Sequence, residues 1–439
     1  MVEKTKEKDK IFSKLFSKDN IPIILFLVIL INYIPLILPN MISKDSNGVG
    51  TLPMAICFGI ECVLLVLTFY KNIEITKNMK KNIIALSIIS LLLFCVQIKN
   101  FVIGKYQLLD LFNIACLFIN VLLLFICMID FKVDENKINV FMKLIVFMGI
   151  ISCINNMILY FNEILQTLGI TKISGAINMK SFFANRNQFA FFLYVTIIAN
   201  IYVILIQKNN LIYKFLMILF LVNLFFSMSR TGMLVVGIFF VLYFIFCDKV
   251  KTKTKIITLI LCAILGVIVL AIMLKINPEL LKYVGRFDRI KDLSGRTDIW
   301  ERGITLLLQS PINLIFGVGR FQATELLVFK TKSFSQFHNI YIDTLVTGGI
   351  MLLTYILWIY YFVMKKIKES NMDKKYKTLY KAMFITFAIY ICFESFGRFS
   401  IGCSDTLCLI FFISIPLLHA NSLHSNNIKK DEKIGENND

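Results

Sequence analysis

Residues 211–246 read LIYKFLMILFLVNLFFSMSRTGMLVVGIFFVLYFIF, two apolar runs that are interrupted only by a short polar turn at 229–232. As helices, both runs approach the length of about 20 residues that crosses a bilayer core of about 30 Å. Similar runs fill the rest of the chain, since 57% of its 439 residues are hydrophobic and only 17% are charged. A soluble core cannot absorb so much apolar sequence, so the chain is predicted to be an all-α polytopic membrane protein.

Working outward from this stretch, the sequence predicts about twelve transmembrane helices, with one large extracytoplasmic loop between helices 9 and 10. The predicted spans are 21–39, 51–70, 82–98, 108–130, 138–160, 188–206, 211–228, 231–247, 255–275, 340–364, 379–397 and 404–420. Lysines cluster after even-numbered spans, at 71–81, 249–255 and 365–377. Because cytoplasmic loops collect Lys and Arg, both termini are predicted to be cytoplasmic.

These spans divide the chain into five predicted regions. They are a basic cytoplasmic N-terminus at 1–20, transmembrane helices 1–9 at 21–275, the large extracytoplasmic loop at 276–338, transmembrane helices 10–12 at 339–420 and a disordered cytoplasmic tail at 421–439. The formal net charge of +19 invites a nucleic-acid partner. The lysines instead lie in short tracts between the spans, as topology signals do, so no nucleic-acid partner is expected. The 11 cysteines lie in or at the edges of the spans without a CxxC pair, and are interpreted as small buried hydrophobes.

The arginines of this chain are predicted to lie on the opposite side of the membrane from most of the lysines. All eight are predicted to lie on the outer side of the membrane, at 186, 230, 286, 289, 296, 302, 320 and 398. Arginine offers a planar fork of donors that binds phosphate or carboxylate through two hydrogen bonds. The asymmetry therefore predicts an anionic, phosphate-bearing partner at the outer face.

The large loop contains a predicted anion site. Thr297 and Asp298 start a predicted amphipathic helix, which Pro311 is expected to end. Its apolar stripe consists of Ile299, Trp300, Ile304, Leu307 and Leu308. Arg296 precedes this helix, whose free amides favour an anion, and glycines at 317 and 319 would let the backbone approach a ligand. The alternative is a solvated loop with ordinary turn glycines.

Polar groups at the outer ends of the spans add to this site. His338 is the one histidine predicted outside, at the mouth of the tenth span, where it suits a proton acceptor. The alternative is a histidine that only caps the helix. Arg230 lies between two spans and needs a polar cavity or partner, unless it reaches the lipid headgroups. Asn185 and Asn187 at the start of the sixth span could bind sugar hydroxyls or simply cap the helix.

Two carboxylates complete the candidates. Glu394 lies four residues before Arg398, and this spacing predicts a structural ion pair on one helix face. Glu61 lies in the middle of the second span and is a candidate for proton relay. No Asp-rich metal motif, nucleotide loop or GxSxG turn is found, so neither a metal nor a cofactor is expected.

This ordered set of motifs resembles the O-antigen ligase and O-antigen (Wzy-type) polymerase superfamily of polytopic glycosyltransferases, which have a GT-C-like fold. The resemblance runs from about 181 to 364. It consists of an F-x-N-x-N-like helix start at 183–187, Ser-Arg-Thr-Gly at 229–232, Gly-Arg-x(3)-Trp at 295–300, Gly-Val-Gly at 317–319 and His-Asn-x-Tyr at 338–341. The first 180 residues are similar only in being a series of hydrophobic spans.

The resemblance implies transfer of a glycan from undecaprenyl diphosphate on the outer face of the cytoplasmic membrane. It carries catalytic roles onto Arg230, Arg296 and His338. Substrate binding is expected at Arg186, Asn187, Trp300, Gly319, Arg320 and Asn339. Expected partners are the undecaprenyl-diphosphate-linked oligosaccharide and membrane lipids, with a flippase and a chain-length regulator as candidate protein partners.

Three functions compete at this point. A repeat-unit polymerase is preferred, because the Lys- and Ile-rich composition is typical of an organism without lipopolysaccharide. A ligase would use the same donor and transfer the glycan to lipid A core, protein or another surface acceptor. A lipid-linked oligosaccharide flippase would need charges along a path through many spans, whereas the arginines here concentrate in one loop.

Overall fold

The computed structural model describes a large part of the chain. The described residues are 16–41, 50–70, 72–73, 75–102, 108–171, 178–207, 210–248, 251–255, 257, 271, 275, 296–329, 332–333, 336–400 and 402–422. Most of the predicted ninth span at 255–275, Arg286 and Arg289, and nearly all of the predicted N-terminal region and tail lie outside them.

The described residues form an almost wholly helical protein. The helices before the large loop are α1 (Ile21–Asn40), α2 (Thr51–Tyr70), α3 (Lys77–Val102), α4 (Leu108–Leu124), α5 (Glu135–Leu159), α6 (Phe161–Thr167), α7 (Arg186–Ile206), α8 (Leu211–Phe226) and α9 (Arg230–Phe246). The loop itself contains α10 (Arg296–Leu308), α11 (Pro311–Phe316), α12 (Arg320–Leu326) and a two-residue antiparallel pair, β1 (Val328–Phe329) and β2 (Lys332–Ser333). The chain continues with α13 (Ile340–Glu369), α14 (Lys374–Tyr390) and α15 (Cys403–Ser422).

Eight helices in the described part of the chain are long and apolar enough to cross a membrane. They are α1, α2, α3, α4, α5, α7, α13 and α15. Helices α8 and α9 are apolar but have only 16 and 17 residues. The all-helical membrane fold is thus confirmed, whereas the predicted number of twelve spans is not.

Helix α7 is the most enclosed helix of the central bundle before the loop, with its residues from Phe189 to Val203 almost all buried. It packs closely against α5, where a side chain in place of Gly149 would overlap Thr196. Small residues at such contacts let two helices approach within a membrane. Tyr194 joins α7 to α14 by donating to the backbone oxygen of Met383 at 3.0 Å. This enclosed helix provides a fixed base for Asn187, which lies in its first turn.

The described part of the large loop is folded onto the first turns of α13. Ile299 and Leu307 of α10 are buried in a small apolar cluster with Phe337 and Val346. The predicted stripe is therefore only partly right: Ile304 and Leu308 point outward, at 41% and 68% exposure. Helix α10 ends before Pro311, which instead begins α11 behind the cap of Ser310.

The loop glycines serve this packing. Gly317 has φ +74°, and a side chain there would overlap the backbone of Thr347 and Gly348. The amides of Val318 and Gly319 donate to the carbonyls of Val346 and Thr347 at 2.8 and 3.1 Å. Gly317 thus makes a close approach to α13 of the same chain, whereas a side chain at Gly319 would overlap Gln97 of α3.

Helix α14 ends seven residues before the predicted span does. After Tyr390 the chain turns, and Gly397 adopts φ +85°, in the left-handed region that glycine tolerates. Residues 391–400 and 402 therefore have irregular structure between α14 and α15, and this part of the chain is hereafter called the 391–402 segment. It contains Glu394 and Arg398, so these two residues do not share a helix face.

Candidate functional site

Side chains from three distant parts of the chain meet at the carboxylate of Glu394, which is 1% exposed. Asn187 Nδ2 donates to Oε1 at 2.6 Å. Arg296 Nη2 lies 3.4 Å from the same oxygen. His338 Nδ1 lies 3.2 Å from Oε2. We call Asn187, Arg296, His338 and Glu394 the Glu394 cluster.

Helix caps direct Asn187 into this cluster. Asn185 is the N-cap of α7, where its side chain accepts from the amide of Gln188 at 2.9 Å. Capping is thus the role of Asn185, while Asn187 faces inward. Ser229, the N-cap of α9, donates its hydroxyl to Asn187 Oδ1 at 3.1 Å. The two turns that the sequence singled out are therefore in contact.

The turn before α13 presents His338. The cap of α13 is Asn339, whose side-chain oxygen accepts from the amides of Tyr341 and Ile342 at 2.9 and 3.2 Å. His338 has φ +54°, a left-handed conformation that is uncommon for a residue with a side chain. Such local strain persists where the surroundings impose it, often at functional sites. His338 is therefore not the capping residue, and its ring is turned toward Glu394.

The 391–402 segment is tied to the same turn. The amide of Asn339 donates to Ser395 Oγ at 3.2 Å, and that of Ile340 to the carbonyl of Ile391 at 2.9 Å. Arg296 Nη1 donates to the carbonyl of Phe393 at 2.9 Å. These bonds fix the backbone that carries Glu394.

Trp300 supports the cluster from α10. Its indole N–H donates to the carbonyl of Phe337 at 2.7 Å, so it holds the residue before His338. Substrate binding by Trp300 remains a prediction, but its polar group is engaged by the protein.

The predicted ion pair between Glu394 and Arg398 is wrong. Arg398 lies 3.7 Å from Asp343 and 3.5 Å from Asp405, each measured from a guanidinium nitrogen to a carboxylate oxygen. Burial opposes the charge of Arg398, but Asp405 and Asp343 outweigh it and raise the pKa of Arg398. The four-residue spacing failed as a guide because both residues lie beyond the end of α14, where helical neighbours are not defined.

The other predicted residues lie around the cluster or apart from it. Arg186 and Arg230 are the first residues of α7 and α9, next to Asn187 and Ser229 respectively. Gly319 and Arg320 instead line a separate cavity together with Arg398. That cavity and the Glu394 cluster share no residue.

The sequence did not predict that Glu394 lies at the centre of the site. The available signal was a carboxylate in a largely apolar stretch, FESFGRFS at 393–400. An acidic residue inside a predicted span is costly unless it is paired or functional. Its partners come from residues about 56 to 207 positions away in sequence, which no local spacing indicates.

The cluster can hold and move charge. Since a carboxylate only accepts hydrogen bonds, Glu394 favours a proton on His338 Nδ1, which leaves Nε2 as an acceptor. The guanidinium of Arg296 has five donors, of which two bind Phe393 and Glu394. Among the described residues, no group of three or more His, Cys, Asp and Glu side chains could hold a metal ion.

The fold and this cluster define a polytopic membrane protein with a charged site at helix ends. A family model described as O-antigen ligase (Wzy_C) matches residues 215–357, about a third of the chain. The match contains Arg230, Arg296 and His338, and it supports the O-antigen ligase and polymerase superfamily that the motifs predicted. Members of this family are glycosyltransferase-like enzymes. No curated protein matches the chain.

Proposed function

We propose that the protein is a repeat-unit polymerase that transfers a growing glycan from undecaprenyl diphosphate to the next lipid-linked repeat unit. The reaction would take place at the extracytoplasmic face of the cytoplasmic membrane. The observation that carries this proposal is the Glu394 cluster, in which a buried carboxylate joins a histidine, an arginine and a carboxamide. The motifs predict all three of these partners as site residues.

In this proposal a hydroxyl of the acceptor sugar attacks the anomeric carbon of the donor glycan. The new C–O bond forms while the bond from that carbon to the diphosphate oxygen breaks, and the electron pair leaves with undecaprenyl diphosphate. The hydroxyl proton passes to Nε2 of His338. Glu394 stabilises the resulting imidazolium, as an acidic partner does for a histidine base.

Arginine would stabilise the leaving group. Arg296 can hold Glu394 and a phosphate oxygen at once, because its guanidinium has donors to spare. Arg230 at the start of α9 would bind a second phosphate oxygen. A charge-assisted hydrogen bond contributes about 1.5–3 kcal/mol, and donors aimed at developing charge lower the barrier. The proposed reaction therefore needs no metal.

An apolar cavity is suited to the lipid tail. It has a volume of about 290 Å³, lies between α13 and α14 and begins at Ile340 and Tyr341, directly after the Glu394 cluster. Its walls are formed by aromatic and aliphatic side chains, such as Tyr360 and Phe387. The first isoprene units could occupy this space while the diphosphate faces Arg296.

The central experiment is elongation in a purified system. The protein in lipid nanodiscs receives lipid-linked repeat units without nucleotide sugar, in the presence of EDTA. We expect a ladder of longer glycans and release of undecaprenyl diphosphate. His338→Ala and Arg296→Ala should each slow release by about 10²-fold or more, whereas Arg302→Ala on the same helix should have little effect. The site assignment is wrong if both cluster variants elongate normally.

A ligase is the second candidate, because the matching family carries that description. Its chemistry at the donor would be the same, and only the acceptor would differ. A mixture of long lipid-linked glycan and short labelled lipid-linked units separates the two functions. Transfer of label into long lipid-linked chains identifies a polymerase. Release of undecaprenyl diphosphate that occurs only with an acceptor not linked to undecaprenyl diphosphate identifies a ligase.

A further inference from the structure

A second polar cavity lies apart from the Glu394 cluster. It is bounded by α3, α4, the start of α12, the first turns of α13 and the 391–402 segment. Its polar lining consists of Gln97, Asn113, Arg320, Thr344, Thr347, Arg398 and Ser400. We name it the Asn113 cavity.

Two buried donors in the Asn113 cavity have no hydrogen-bond partner among the described residues. They are Nδ2 of Asn113 and Nε of Arg398. Leaving such a group unpaired costs free energy, and native proteins rarely do so without a reason. A ligand with oxygen atoms would satisfy both donors.

The charge balance indicates a neutral ligand. Arg398 is flanked by the carboxylates of Asp343 and Asp405. With Arg320 also in the lining, two arginines and two carboxylates give this region no net charge. A phosphate group would meet these carboxylates at short range. The carboxamides of Gln97 and Asn113 and the hydroxyl of Ser400 can both donate and accept, and so can a sugar hydroxyl.

The apolar part of the cavity suits a sugar ring as well. Leu93, Ile114, Leu117 and Leu352 form that part, and the C–H faces of a pyranose could pack against them. The cavity volume is about 70 Å³. At roughly 10–15 Å³ for each water-sized group, this space holds the edge of one ring and not a disaccharide.

We infer that the Asn113 cavity is a subsite for one sugar residue of the glycan substrate. Thr344 lies five residues beyond Asn339 along α13, which corresponds to about 8 Å at ~1.5 Å per residue. A glycan could therefore occupy this subsite with one sugar while a neighbouring sugar reaches His338. The inference rests on the proposed function for the identity of the glycan, and it makes this cavity a determinant of sugar specificity.

The test measures binding to the full-length protein in nanodiscs. The probe is the free oligosaccharide released by mild acid from lipid-linked repeat units of the source cells, with titration calorimetry as the readout. Asn113→Leu should weaken binding about tenfold, the effect of losing about one hydrogen bond. The matched control is Asn139→Leu, a half-buried carboxamide on α5 outside the cavity; its affinity should equal that of the wild type. Gln97→Met provides a second cavity variant in case Asn113→Leu does not fold.

A second probe, undecaprenyl diphosphate, separates the sugar subsite from a lipid-phosphate site. Its affinity should fall in Arg296→Ala and remain unchanged in Asn113→Leu. The inference is overturned if the cavity variants and Asn139→Leu bind the oligosaccharide with equal affinity. It is also overturned if Asn113→Leu weakens the binding of undecaprenyl diphosphate as much as the binding of the oligosaccharide. Wild-type protein that binds the oligosaccharide in the expected pattern but never elongates it would refute the proposed polymerase and leave the sugar subsite standing.

Discussion

Glu394 shows how one buried carboxylate can organise a site. Desolvating a carboxylate is costly unless hydrogen bonds replace its water, and Glu394 has donors from Asn187, Arg296 and His338. Removing it would leave the arginine and the carboxamide without their shared acceptor. Glu394 thus acts as a positioning residue that fixes the orientation of His338.

Replacing Glu394 by glutamine should separate positioning from packing. The amide has nearly the same shape, but it lacks the charge and can donate a hydrogen bond to His338 Nδ1, which favours the wrong tautomer. We expect Glu394→Gln to lower the rate of undecaprenyl diphosphate release by about 10²-fold or more with little change in KM. A raised KM with an unchanged kcat would instead indicate that Glu394 contributes to substrate binding.

The matched control for this change is Glu369→Gln. Glu369 pairs with Lys365 at 3.9 Å on the surface, where both side chains are more than half exposed, and such pairs contribute little. Its rate and melting temperature should equal those of the wild type. A loss of rate in Glu394→Gln that merely follows a loss of folded protein would contradict the positioning role.

Position 296 should require the planar shape of an arginine side chain as well as its charge. It spans the Phe393 carbonyl and the Glu394 carboxylate with two nitrogens, which the single ammonium of lysine cannot reproduce together with a phosphate contact. Arg296→Lys is expected to slow product release by about tenfold or more. Arg302→Lys on the same helix is the control, and near-wild-type activity of Arg296→Lys would show that a point charge suffices.

At the scale of elements, apolar periodicity predicted the helices well and their ends less well. The second predicted span, 51–70, coincides with Thr51–Tyr70, and the sixth, 188–206, begins two residues late. The ends depend on caps and turns, such as Asn185, Ser229 and Asn339. These were recognisable as polar positions, which is why the cluster residues Asn187 and His338 could be predicted.

The 391–402 segment shows what the sequence could not provide. Its length and apolar residues suit the end of a span. Gly397 instead has φ +85°, and the amides of Gly397 and Arg398 donate to the carboxylate of Asp405 at 2.8 and 3.0 Å rather than within a helix. Glu394 and Arg398 were therefore paired with each other although each has its partners elsewhere. Long-range contacts of this kind have no local pattern. The Asn113 cavity has no local sequence pattern either, because its walls come from five separate segments.

The contact between α11 and α13 should depend on Gly349. This residue interrupts α13 with φ +71°, and a side chain there would overlap the carbonyl of Ile315. Gly349→Ala is expected to destabilise the protein by ~1–3 kcal/mol. The measurement is the melting temperature in detergent, which should fall. Gly237→Ala is the control, because it lies in α9 with open space around it; there alanine should stabilise by ~0.5–1 kcal/mol. Equal melting temperatures for the two variants would contradict the described contact.

At the scale of the whole molecule, the structure shows where most of the arginines lie relative to the two sites. Arg296 belongs to the Glu394 cluster, Arg186 and Arg230 begin the helices beside it, and Arg320 and Arg398 line the Asn113 cavity. Five of the eight arginines therefore lie at or next to the two sites. We propose that both sites face the outside of the cytoplasmic membrane, as the lysine distribution predicts.

Cysteine labelling tests this orientation. Asp298 on α10 and Lys374 at the start of α14 are both exposed, and the proposed topology places them on opposite sides. In a variant without native cysteines, Asp298→Cys should react with an impermeant maleimide in intact cells, and Lys374→Cys only after lysis. If only Lys374→Cys were labelled in intact cells, the topology would be the reverse of the proposed one.

The hydrogen bond from Trp300 to the carbonyl of Phe337 holds a fluorescent indole next to the Glu394 cluster. The chain contains two tryptophans, and the other, Trp358, stacks on Tyr355 at 5.7 Å within α13. In Trp358→Phe the emission spectrum would come from the indole beside His338 alone. Because indole emission responds to the polarity and rigidity of its surroundings, arrival and departure of substrate could be followed in real time without a label.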